Sequence, residues 1–144
     1  MSLKRRFAAG TAFIVALWIG VQCWQVATRI HTVIITVPDA DGFFAVWVRD
    51  AHPDVVEVED GVATFTVPEE GLLRARSMAC LEDWHTERYV DRRGQAVEDV
   101  HGLSTAFSSR WDGKIKWWYR GAKCDRMYSS EAKAAWLSDK GVER

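Results

Sequence analysis

The chain has no CxxC or HxxxH spacing, no glycine-rich phosphate motif, no nucleophile elbow, no Gly/Ser linker and no low-complexity tract. The first two absences exclude an evident zinc site, since structural zinc needs four ligands at short paired spacings. Without an elbow, Ser104, Ser108 and Ser109 have no context in which a hydroxyl would be activated. No long-period internal repeat is legible either, which argues against a solenoid or a propeller. An excess of basic charge is also missing. The 144 residues carry 19 Lys and Arg against 20 Asp and Glu. Four of those bases precede residue 30, so the body is net acidic, and a nucleic-acid surface is not expected. No cofactor or metal is called for by any motif.

What is present begins at the N-terminus. Lys4-Arg5-Arg6 precede an uncharged run from Phe7 to Thr28, and Arg29 closes it. As a helix such a run would measure roughly 33 Å, close to the hydrocarbon thickness of a bilayer. The expectation is a membrane anchor over residues 1–29, crossing through residues 7–28 as an N-terminal transmembrane helix. The positive-inside bias would then keep the N-terminus cytoplasmic and put residues 30–144 on the extracytoplasmic side of the cell membrane. The alternative is a cleaved signal peptide and a secreted body, but Gln25 at the −3 position before Ala27 fits cleavage poorly. Gln22 before Cys23 fits lipidation no better.

The body is long enough for one hydrophobic core. Of the three cysteines, Cys80 and Cys124 fall within it. In an oxidising compartment such a pair is expected to form a disulfide, with two independent thiols as the alternative.

Local patterning predicts strands over residues 32–37, 43–48, 55–58, 62–67, 72–78, 86–90 and 114–120. Asp60-Gly61 between two such runs is a hairpin signal, because both turn positions tolerate positive φ. Residues 99–110 read as a loop. Ser129-Ser130-Glu131 reads as a helix start and Gly141 as its stop, giving a short C-terminal helix at about 129–140. The expected fold class is therefore all-β and mainly antiparallel, a compact β-sandwich or partly open barrel.

The succession Val37-Pro38, Gly42, Phe44-Ala45-Val46, Glu59-Asp60-Gly61, Phe65-Thr66-Val67-Pro68, Gly71-Leu72-Leu73 resembles an uncharacterised family of small bacterial exported or membrane-anchored β-domains. The similarity runs through Trp84, Tyr89 and Asp91 to Gly94, and on to Trp118-Tyr119-Arg120-Gly121. The resemblance implies a β architecture and an envelope location; its motifs are turn and core positions, so it implies no chemistry.

Two function classes follow. The leading one is a noncatalytic interaction or structural module of the cell envelope, meeting an envelope protein through an aromatic patch of Trp111, Trp117, Trp118 and Tyr119. Trp117 and Trp118 are consecutive on a strand, so they should point to opposite faces. The second class is a small-ligand-binding or hydrolytic domain built on His85 and Glu87, which share a strand face at i and i+2, with His101. No residue is assigned a catalytic role, and the sequence is silent on oligomeric state.

Overall fold

The computed structural model of the chain describes residues 14–23, 29–104, 107–111 and 113–142. Among the described residues nine strands form two sheets. They are β1 (Thr32–Thr36), β2 (Gly42–Val48), β3 (Glu57–Glu59), β4 (Val62–Thr66), β5 (Leu72–Ala75), β6 (Thr86–Val90), β7 (Val100–Gly102), β8 (Ser108–Trp111) and β9 (Gly113–Arg120). The first sheet has the order β3-β4-β1-β6, the second β5-β2-β9-β7 with β8 also paired to β9.

The architecture corrects the all-β, mainly antiparallel expectation. Strand β1 pairs in parallel with both β4 and β6, and β2 pairs in parallel with β5. The remaining pairs are antiparallel, so both sheets are mixed. The physical reason lies in the turns. Pro38 to Gly42 and Pro68 to Gly71 look like hairpin turns, yet each carries the chain from the first sheet to the second. Strands joined that way do not pair with one another; β1 and β4 pair in parallel in the first sheet, and β2 and β5 in the second.

A short repeat underlies this. Thr36-Val37-Pro38 before Gly42 matches Thr66-Val67-Pro68 before Gly71, and the two copies lie side by side with Thr36 opposite Thr66 and Val46 opposite Leu73. Each copy is one strand, one corner and one strand. A third strand, β6, adds to β1 in the same direction, but Asp91 closes a turn there by accepting from the Arg93 and Gln95 amides at 2.8 and 2.9 Å.

Between the sheets lies the main core. Val33, Ile35, Ala63 and Phe65 from the first sheet meet Phe44, Val46, Leu73 and Trp118 from the second. These are alternate positions, as the pleat requires. The two-sided apolarity of β2 has its explanation on the other face of the second sheet. There Phe43, Ala45, Trp47, Leu72, Ile115 and Trp117 pack against Met127, Leu137 and Val142. The C-terminal helix, Ser130–Asp139, therefore makes a third layer. It starts as the sequence predicts, with the Ser129 hydroxyl accepting from the Ala132 amide at 3.1 Å. Its inward face includes Leu137 and Trp136, whereas Ala135 is exposed.

Other expectations meet mixed outcomes. Asp60 and Gly61 both have positive φ, 49° and 76°, and make the two-residue hairpin of β3 and β4. The segment read as a loop over 99–110 contains β7 and all but the last residue of β8, whose few residues carry too little alternation to register. Residues 14–23 are helical, with Ile14, Leu17 and Trp18 exposed. Among the described residues no helix is long and apolar enough to cross a membrane, which corrects the expected transmembrane helix; the rest of the 7–28 run lies outside the described residues.

The disulfide is corrected as well, since Cys80 and Cys124 are both free thiols. Cys80 is buried in the core between the sheets. Cys124 is exposed beside the Tyr119 hydroxyl, 3.6 Å away, and Tyr119 packs on the opposite face of the second sheet. The sheet itself separates the two sulfurs.

Gly113, at the β8–β9 turn, has φ 109°, and a Cβ there would stand 2.4 Å from the Val48 carbonyl oxygen. Gly113→Ala is expected to destabilise the protein by about 1–3 kcal/mol, from backbone strain and displacement of β2. A urea titration checks this; an unchanged midpoint would show that the turn has another accessible conformation.

Candidate functional site

Along β6 the residues Glu87 and Tyr89 fall at positions paired with Val33 and Ile35, so they face the space between the sheets. On β9 the same parity places Lys116 and Trp118 there from the other side. The four side chains meet at the Glu87 carboxylate. Lys116 Nζ donates to it at 2.9 Å, Trp118 Nε1 at 3.0 Å, and the Tyr89 hydroxyl in a short bond. His85 Nε2 adds a fourth contact at 3.1 Å. The Lys116 ammonium also lies 5.5 Å from the Trp118 ring centroid.

Lys116 is 4% exposed, so its charge is removed from water almost completely. Such a charge is tolerated only when paired and hydrogen-bonded. Burial alone would raise the Glu87 pKa, but the bonds from Tyr89, Trp118 and Lys116, together with the ammonium charge, outweigh it and hold the carboxyl down at about 2. Burial and the adjacent carboxylate push the Tyr89 phenol well above its ordinary range. The His85 ring is held between two acceptors, the Asp83 carbonyl at Nδ1 and Glu87 at Nε2.

Outside this network lies an open cleft of about 670 Å³. Leu81, Leu103 and Ser104 line it together with Glu82, Asp83, His85, Glu87 and Lys116. Trp84 belongs to the same wall and is 80% exposed. It follows the short 3₁₀ turn Ala79–Leu81, whose Cys80 and Leu81 are buried and pin the segment to the core. Burial pushes the Cys80 thiol up to about 11, which leaves it an inert packing group.

The sequence-predicted residues divide as follows. His85 and Glu87 come together as their shared parity suggests. His101 does not join them: it stands opposite Tyr119, on the other face from Trp118, and its Nε2 contacts the Gly121 carbonyl at 3.1 Å. Of the aromatic patch, Trp117 and Trp118 do point to opposite faces, but both are buried, at 4% and 0% exposure. Trp117 lies under the C-terminal helix, in edge contact with Phe43 and Trp136. Trp118 stacks on Phe44 in the main core, centroids 5.5 Å apart. Tyr119 is half-buried against Phe43. Trp111 belongs to β8, and its side chain is outside the described residues.

Sequence reasoning missed Lys116, Tyr89 and Trp84. A signal existed for Lys116. It stands between Ile115 and Trp117-Trp118 in the most aromatic strand of the chain, and a lysine buried there demands a carboxylate partner. Nothing comparable marks Trp84, because exposure of a single indole is decided by the turn that carries it.

No family model matches the chain, and no curated protein matches it. Among solved structures it is similar to a protein from Bacillus anthracis described as a candidate lipoprotein, with 14% identity and a TM-score of 0.48 over 78% of this chain and 94% of that one. At that distance the likeness carries no argument about fold or function.

Proposed function

We propose that the protein is a noncatalytic binding module of the cell envelope and that its recognition site is the cleft beside Trp84, His85, Glu87 and Lys116. The observation that carries this reading is the exposed Trp84 indole on the wall of a cleft backed by a fixed ion pair. Concave sites with apolar walls and a few convergent polar groups are where small molecules bind. An indole left in water beside such a site offers area that a ligand can cover.

The envelope part of the reading is supported by the sequence alone, through Lys4-Arg5-Arg6 and the uncharged run that follows. Burial of Trp117 and Trp118 moves the reading away from an aromatic patch on β9 and towards the cleft. A hydrolytic role for Glu87 is disfavoured by its bonding. A carboxylate held at about 2 and surrounded by four donors is a poor general base, because a base needs a pKa near the working pH and a free lone pair.

The test is an amide-resolved NMR experiment on the full chain with a mixture of small polar and aromatic fragments. Shifts are expected to concentrate on residues 81–87, 102–104 and 116. Shifts centred elsewhere, or none at all, would overturn the cleft as the recognition site.

A further inference from the structure

The charges of the cleft point to the kind of ligand it takes. Glu82 is paired with Lys114 at 3.3 Å, and Glu87 with Lys116 at 2.9 Å. The His85 ring contacts the Asp83 backbone carbonyl and the Glu87 carboxylate. Two of the three carboxylates thus meet a lysine, so little net field remains in the cleft. A strongly charged ligand would gain little from entering it and would lose hydration.

What the cleft does present is an amphipathic surface. The Trp84 indole supplies a broad, flat, water-exposed face, with Leu81 and Leu103 as apolar neighbours. The carboxylates of Glu82 and Asp83 beside it are acceptors with several lone pairs each. A complementary ligand must be neutral, offer an apolar face to the indole and offer hydroxyl donors around its edge.

We propose that this cleft binds a neutral saccharide, with one pyranose ring stacked on Trp84 and its hydroxyls donating to Glu82 and Asp83. The proposal rests on the reading of the cleft as the recognition site and names its ligand class. A volume of about 670 Å³, open to solvent, admits more than one sugar ring, so an oligosaccharide or the exposed end of a polysaccharide is favoured over a monosaccharide. The ion-paired floor of Glu87 and Lys116 fixes the wall against which the ring sits and does not itself need to move.

The experiment titrates the full chain with two neutral tetrasaccharides, one of N-acetylglucosamine and one of glucose, and separately with tetralysine and inorganic phosphate. The Trp84 indole resonance and the amides of residues 81–87 are followed. At least one tetrasaccharide is expected to shift them saturably, with a dissociation constant on the order of 0.1–1 mM. Raising salt from about 50 to about 300 mM should leave that constant within twofold, as no net charge is neutralised. Trp84→Ala should weaken binding at least tenfold while leaving the remaining spectrum unchanged, because the side chain is 80% exposed. Asp83→Asn should weaken it less, retaining one acceptor and the stack.

Shifts from tetralysine or phosphate with none from the sugars would overturn the saccharide and leave the cleft reading in place. So would silence from all four probes if the fragment mixture still maps to residues 81–87. Silence from the fragments as well would overturn both.

Discussion

Glu87→Gln is expected to lower the stability of the protein by about 3–5 kcal/mol, the cost of leaving a buried charge without its counterion. The amide removes the negative charge opposite Lys116, which is 4% exposed, and turns an NH₂ group towards side chains that are themselves donors. Lys116→Met should cost less, since Glu87 keeps Trp118, Tyr89 and His85. Chemical denaturation of both variants checks the order. A Glu87→Gln loss below about 1 kcal/mol would show that water or rearrangement solvates Lys116.

The same carboxylate governs acid stability. Its pKa is about 2 in the folded protein against an ordinary 4.5, so the unfolded chain binds the proton first. The stabilisation is therefore present above pH 4.5 and lost as the pH falls towards 2. At about 1.4 kcal/mol per unit the wild type should lose about 2–3 kcal/mol from this group across the window. Glu87→Gln has no such proton to take up. Its stability should fall less steeply there, and parallel curves for the two proteins would remove Glu87 from the account.

The second large effect concerns Trp118. It is fully buried, stacks on Phe44 and donates its only polar hydrogen to Glu87. Trp118→Ala is expected to cost about 3–5 kcal/mol, through lost burial and the cavity it opens. Trp118→Phe separates the two roles. It keeps a ring against Phe44 and removes the donor, so about 1–2 kcal/mol should be lost, with a rise in the Glu87 pKa. Carbon-detected titration of the Glu87 carboxyl checks that rise; a Phe variant with the wild-type carboxyl pKa would mean that the indole contributes packing alone.

The sequence and the structure agree best where the determinants are local. Asp60-Gly61 forces its hairpin through two positive φ angles, and Ser129 caps its helix through one hydroxyl, so both are legible from a few adjacent residues. His85 and Glu87 were legible as a pair because strand parity puts them on one face. Sheet order was not legible, because Pro38 to Gly42 has the composition of a hairpin turn while the strands it joins belong to different sheets. That choice is made by residues about 30 positions away, where Thr66-Val67-Pro68 supplies β1 with a parallel neighbour. Lys116 was missed for a related reason. Its partner on β6 lies 29 residues earlier, and no local pattern joins the two.

The interleaving of the strands also sets an order of events for a chain that is made from one end. Strand β1 is flanked by β4 and β6, so its second neighbour is complete only at Val90. Strand β2 waits longer, because its antiparallel partner β9 ends at Arg120. A growing chain stopped before β9 leaves β2 with one open edge and both cores without the β9 side chains Ile115, Trp117 and Trp118. Such non-local pairing delays collapse into a stable form until nearly the whole length is available. N-terminal fragments ending before residue 120 should stay unfolded and protease-sensitive, and limited proteolysis of such fragments checks this.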